Sequence, residues 1–200
     1  MNKPQSLYIH IPFCSSVCDY CDFCKLQYFR IIAEKYIKAL IKEIDSYKIN
    51  EPLKTIYIGG GTPTSLDDDL FEQLLKYLDK YANDVIEYTV EANPESLSNS
   101  KLKLMKEHGV NRLSIGWQTT NNEILKDIGR KHTYEQALDA FKRARDFGFN
   151  NINIISAPDP YIGSHGPNIV PRFTNLPSDI TCNNTSQVHP IKENIKNIKI

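Results

Sequence analysis

Four of the five cysteines, Cys14, Cys18, Cys21 and Cys24, fall within eleven residues of one another, and the fifth is Cys182. Clustered thiols make poor cross-links, because a disulfide framework gains by stapling distant segments. They suit a metal ion or a cluster. The spacing Cys14-x3-Cys18-x2-Cys21 differs from the paired Cys-x2-Cys of zinc ribbons. Three thiolates on one short loop can wrap one side of a [4Fe–4S] cubane and leave the fourth iron open to a small chelating molecule, which it can then reduce. Four protein thiolates leave no such position. The same residues admit two other sets: zinc held by Cys14, Cys18 and Cys21 with Cys24 or His10, and a closed cluster with Cys24 as fourth ligand.

The surrounding pattern says how such a loop is carried. Leu7–Ile11 reads as a strand, and Ile31–Lys48 as a helix with Ile32, Tyr36, Ile37, Leu40, Ile41 and Ile44 at helical spacing. Thr55–Ile58 is a β-branched strand running into Gly59-Gly60-Gly61, followed by a helix over Asp67–Tyr81 whose three leading aspartates suit its positive end. Ile86–Val90 alternates as a strand, and the helix Asn99–His108 stops at Gly109. Arg112–Ile115 is a strand leading to Gly116-Trp117-Gln118. A short helix over Asn121–Ile128 follows, then a helix over Thr133–Phe147 with a Thr133–Gln136 capping box, and a fifth strand over Ile152–Ile155. This alternation predicts an α/β fold with parallel strands, and both an open doubly wound sheet and a partial barrel fit it. In either fold ligands gather at the C-terminal strand ends. The cysteines, the glycines, Glu91 and Gln118 follow the first, second, third and fourth strands in turn. His10 and Trp117 are assigned to packing beside their strands.

The periodicity ends near residue 156, and six of the eleven prolines lie beyond it. The expected division is a core domain over 1–155 and an irregular tail over 156–200. With 200 residues, 40% apolar and 24% charged, the chain can bury a core, and a formal net charge of zero gives no basic surplus for nucleic acid or an anionic membrane. No signal peptide or apolar run of transmembrane length is read, so the expectation is a soluble, cytoplasmic protein with no membrane span. The sequons at Asn183 and Asn184 are chance matches in that setting.

Tyr8-Ile-His-Ile-Pro-Phe-Cys14-Ser-Ser-Val-Cys18-Asp-Tyr-Cys21-Asp-Phe resembles the N-terminal signature of the oxygen-independent coproporphyrinogen III oxidases and their haem-chaperone relatives, HemN and HemW. These are radical S-adenosylmethionine (SAM) proteins. The resemblance continues through Ile58-Gly-Gly-Gly-Thr-Pro-Thr64, Val90-Glu-Ala-Asn-Pro94, Arg112-Leu-Ser-Ile-Gly-Trp-Gln118 and Gly129-Arg130, in order over about residues 5–154. It implies a partial (β/α) barrel, here incomplete with about five strands. It implies a [4Fe–4S] cluster on Cys14, Cys18 and Cys21 with SAM on the fourth iron, and SAM contacts from Tyr8, Gly60, Gly61, Thr62, Glu91, Gln118 and Arg130. The family's reduced cluster splits SAM into methionine and a 5′-deoxyadenosyl radical, the cofactor supplying the chemistry and the protein its orientation. The implied partners are haem or coproporphyrinogen III and an electron donor for the cluster.

Oxidases typically carry a further cysteine two positions after the third; here that position is Phe23 and Cys24 comes one residue later, which favours the chaperone branch and leaves Cys24 outside the ligand set. The pattern departs from the family at Ile155, where an aspartate that helps hold SAM is expected, and Ser156-Ala-Pro-Asp-Pro160 does not resemble it. The sixth strand and C-terminal domain of the family are not found, which suggests a lost frame, a truncated or split gene, or a separate chain supplying the rest. The competing readings are a metal or cluster module without SAM turnover, and a nonfunctional remnant.

Overall fold

In the computed structural model, residues 5–16, 18, 21, 24–50, 52–156 and 197–199 are described. Six strands form one parallel sheet in the order β7-β6-β5-β4-β1-β8: β1 (Ser6–Ile11), β4 (Thr55–Gly60), β5 (Glu87–Ala92), β6 (Arg112–Gln118), β7 (Asn151–Ser156) and β8 (Asn197–Lys199). Two-residue strands β2 (Phe13–Cys14) and β3 (Leu26–Gln27) pair separately, also in parallel. The connections carry α1 (Arg30–Ser46), α2 (Asp68–Ala82), α3 (Asn99–Glu107), α4 (Asn122–Asp127) and α5 (Tyr134–Asp146). The expected α/β fold of five parallel strands with covering helices is what the chain adopts, with β8 added as a sixth strand at the edge. None of its described helices is long and apolar enough to cross a membrane.

Strand alternation divides the sheet into two unlike faces. Leu7, Ile9 and Ile11 of β1, Ile56 and Ile58 of β4, Tyr88 and Val90 of β5, Leu113, Ile115 and Trp117 of β6, and Ile154 of β7 all enter the apolar core. Against them pack Ala33, Ile37, Leu40 and Ile44 of α1, Leu70, Phe71, Leu74, Leu75 and Leu78 of α2, and Ala137, Ala140, Phe141 and Ala144 of α5. The opposite face is polar and aromatic. Ser6 pairs with Thr55 (Oγ–Oγ1 2.7 Å), the Tyr8 and Tyr57 rings lie 5.9 Å apart, and Asn153 donates to Ser114 (3.1 Å). A parallel sheet covered on both faces by helices reads as near-continuous apolar runs; here the second face is left for polar work.

Three details correct the sequence reading. The strands run further than their apolar runs: Gly59 and Gly60 belong to β4, Glu91 to β5 and Gln118 to β6, so these residues end their strands rather than follow them. Ladder hydrogen bonds need no apolar side chain, so pairing continues through glycine and glutamate. The buried stripe of α1 is rotated from the expected one, leaving Ile32 half-exposed while Ala33 is fully covered. Within the tail expected to be irregular, Asn197–Lys199 forms an edge strand on β1; residues 157–196, which include Cys182 and both sequons, lie outside the described residues.

Candidate functional site at the strand ends

The cysteine loop leaves β1 and is closed on itself by backbone bonds. Leu26 N donates to Pro12 O (2.6 Å), Tyr28 N to Cys14 O (2.9 Å), and Cys21 N to Cys18 O (3.3 Å). Lys25 Nζ donates to the carbonyls of Cys18 and Cys21, capping the turn with a cation. His10 does more than pack: its Nδ1 meets Tyr8 Oη and its Nε2 meets the Cys24 carbonyl, each at 3.0 Å, latching the strand to the loop. Both ring nitrogens are engaged away from the cysteine sulfurs, so His10 is not presented as a fourth zinc ligand. Cys14 and Cys18 are buried, Cys21 is partly covered and Cys24 is exposed, all as free thiols.

The glycine run docks on that loop. Gly61 N donates to Ile11 O (2.8 Å) and Thr62 N to Phe13 O (2.7 Å). A Cβ on Gly61 would lie 2.7 Å from Phe13 O and 3.0 Å from Cys14 Sγ, so only glycine lets the two segments approach this closely. Gly60 has φ +116°, a conformation open to glycine, and passes under the His10 ring. Gly59 clears space for Glu91, whose carboxylate would stand 2.9 Å from a Cβ there. Burial pushes the Glu91 carboxyl up, opposed by Tyr57 Oη, which donates to Oε1 (2.5 Å), and by Gly60 N, which donates to Oε2 (3.0 Å). Tyr8, also on this face, is pushed up to about 12 by burial and by the Glu91 charge.

Beyond β5 and β6 a chain of hydrogen bonds joins two of the cysteines. Thr62 Oγ1 donates to Cys14 Sγ (3.6 Å) and accepts from Asn93 Nδ2 (2.9 Å). Asn93 Oδ1 accepts from Arg130 Nη2 (2.8 Å), and Arg130 Nη1 donates to Cys18 Sγ (3.5 Å). Burial pushes the Cys14 thiol up, and the Thr62 hydrogen bond opposes it. Arg130 Nη2 also donates to Gly116 O (2.6 Å). Gln118 is buried with φ +74°, a strained conformation for a side chain, at the irregularity where β6 meets β7. Behind it, buried His132 sits between Trp117 O (Nε2, 3.0 Å) and Glu95 Oε2 (Nδ1, 3.1 Å). Burial alone would raise the Glu95 carboxyl, but the His132 hydrogen bond and the Arg130 charge together hold it below the usual range. Trp117 is fully buried against Tyr134 and Phe141, as packing predicts.

The residues fit an iron–sulfur cluster. Two buried sulfurs each receive a hydrogen-bond donor, the environment that stabilises anionic sulfur. Among the described residues no three His, Cys, Asp or Glu side chains gather as ligands of one ion; a cubane places each thiolate on a different iron and needs no such convergence. Gly60, Gly61, Thr62, Glu91 and Gln118 stand at or just past the ends of β4, β5 and β6; Arg130, beyond α4, reaches the end of β6 through the Gly116 carbonyl, and Tyr8 lies mid-strand in β1, joined towards its end by His10. Sequence reasoning gave no role to Tyr57, Asn93 or His132. Tyr57 comes level with Tyr8 on the polar face only through the strand register, which the sequence does not show; Asn93 and His132 lie outside regular elements, where no periodicity points to them.

Comparison with known proteins agrees with this geometry. Residues 8–159 match the family model described as the radical SAM superfamily. A haem chaperone HemW from Lactococcus lactis is 47% identical over 156 residues, and one from Bacillus subtilis is 46% identical over 156. These alignments cover 77% and 75% of this chain but 41% of each relative, so the chain spans about two fifths of their length. The solved coproporphyrinogen III oxidase HemN from Escherichia coli superposes with a TM-score of 0.69 and 31% identity over 76% of this chain and 36% of that one. These similarities establish that the chain belongs to the radical SAM superfamily and is HemW- and HemN-like within it.

Proposed function

We propose that the chain holds a [4Fe–4S] cluster on Cys14, Cys18 and Cys21, binds SAM beside it, and serves in haem handling as a HemW-like chaperone. The observation that carries this reading is the delivery of one donor to Cys14 by Thr62 and one to Cys18 by Arg130, from residues that the resemblance also assigns to SAM. When bound, the cluster would supply the electron that cleaves SAM. The chain's own groups orient the ligands. Backbone N–H groups of the Gly60–Thr62 run suit an anionic or polar ligand edge, the Glu91 carboxylate suits hydroxyls, and the Arg130 fork suits a carboxylate. Phe23 at the place of the extra oxidase cysteine, and the identity to HemW proteins, support the chaperone over the oxidase.

The test is anaerobic reconstitution of the chain with iron and sulfide, followed by separate additions of SAM and haem. The reading expects a cluster spectrum altered by SAM and saturable haem binding. A SAM-insensitive cluster without haem binding supports a plain cluster module; stoichiometric zinc uptake with no cluster contradicts the reading outright. Formation of 5′-deoxyadenosine separates an active chain from a remnant.

A further inference from the structure

The hydrogen-bonded chain between Cys14 and Cys18 has a direction. Thr62 and Arg130 donate to sulfur, and both are held by one side-chain amide, Asn93, which donates to Thr62 (2.9 Å) and accepts from Arg130 (2.8 Å). The Asn93 amide is what allows this: one end donates and the other accepts, so each partner is left with a hydrogen for its cysteine. Space has been cleared for it as well. A Cβ on Gly116 would lie 2.7 Å from Asn93 Oδ1, 3.0 Å from Gln118 Nε2 and 3.1 Å from Arg130 Nη2. Asn93 itself lies just past β5, two residues beyond Glu91, with a carbonyl that accepts from Ser96 N (3.0 Å) and Ser96 Oγ (3.1 Å), so its position is fixed by the turn it caps.

We infer that Asn93 is a positioning residue that sets the reduction potential of the cluster by aiming two donors, Thr62 and Arg130, at two of its cysteine sulfurs. This rests on the cluster reading above. Hydrogen bonds to cluster sulfur stabilise the more negative, reduced state and raise the potential. Removing Asn93 frees Thr62 to turn its hydroxyl elsewhere and releases one anchor of the Arg130 guanidinium, so both sulfurs lose aim together.

The experiment compares the full chain with Asn93→Ala, Asn93→Asp, Thr62→Val and the Asn93→Ala/Thr62→Val pair. Each is reconstituted anaerobically and followed by iron and sulfide content and by potentiometric titration. Asn93→Asp keeps the shape but cannot donate to Thr62, and it serves if Asn93→Ala folds poorly. The expected result is unchanged cluster content with a lower midpoint potential in both Asn93 variants. The reduction equilibrium shifts roughly tenfold, or about 59 mV for one electron. In the pair, the Thr62→Val effect is smaller than when made alone, since Asn93 acts partly through Thr62. Equal cluster content at an unchanged potential in both Asn93 variants overturns the inference and leaves the cluster reading standing. Failure of the unaltered chain to take up a cluster overturns both.

Discussion

The Tyr57 hydroxyl donates to Glu91 Oε1 at 2.5 Å, across a sheet in which Tyr57 stands level with Tyr8 on β1 and Thr89 on β5. This bond and the Gly60 amide are what hold a desolvated carboxylate at the end of β5. Tyr57→Phe leaves Glu91 with one donor fewer. The expected loss is about 1.5–3 kcal/mol of unfolding free energy near neutral pH, the range for a hydrogen bond to a charged group. Chemical denaturation measures it, and adding Glu91→Gln to the phenylalanine variant should recover most of it.

Glu91 also makes a prediction about pH. Its folded-state pKa is raised by burial, so its contribution to stability is fully present below the ordinary glutamate value and is lost as pH rises through the raised one. Glu91→Gln removes that dependence. The variant should be more stable than the unaltered protein near neutrality, and the difference should vanish in acid. A difference that persists unchanged in acid would contradict the burial argument.

His132 links the turn after β5 to the end of β6. His132→Ala leaves the Trp117 carbonyl with the Thr119 N–H alone (3.1 Å) and takes away the buried partner of the Glu95 carboxylate. Thermal or denaturant unfolding should show a loss of about 1–3 kcal/mol. Glu95 is held low in the folded chain, so its contribution is present above the ordinary carboxylate value and lost as pH falls. The acid limb of the stability profile should therefore flatten in the variant.

Ile155 is the apolar exception on the polar face. It pairs in register with Gly116, whose carbonyl accepts from Arg130. The family pattern expects an aspartate there, and a carboxylate at that place could accept hydrogen bonds from a ligand bound over the strand ends. Ile155→Asp should tighten SAM binding roughly tenfold, equivalent to about 1.4 kcal/mol. Equilibrium binding to the reconstituted protein is the measurement; unchanged or weaker binding would remove Ile155 from the account of the site.

The sheet, the helices and the cysteine loop were legible because periodicity and spacing are local properties. The capping box at Thr133 and Gln136 forms as read. The strand ends were less legible. The sequence reading ends these strands at Ile58, Val90 and Ile115, yet each continues by two or three residues, and those residues carry the site. The polar face itself was hidden, because Tyr57, Thr89 and Ser114 read as ordinary strand residues until their register lines them up. Asn93 sits inside the Val90–Pro94 motif, but the motif alone gives it no role. Its meaning lies in two contacts, one 31 and one 37 residues away in sequence.

Iron and sulfide analysis of anaerobically reconstituted single-cysteine variants tests the central claim most directly. The account predicts about four irons and four sulfides per chain in the unaltered protein and in Cys24→Ala, and loss of the intact cluster in Cys14→Ala, Cys18→Ala and Cys21→Ala. Loss of the cluster in Cys24→Ala, or its retention in any of the other three, would contradict it.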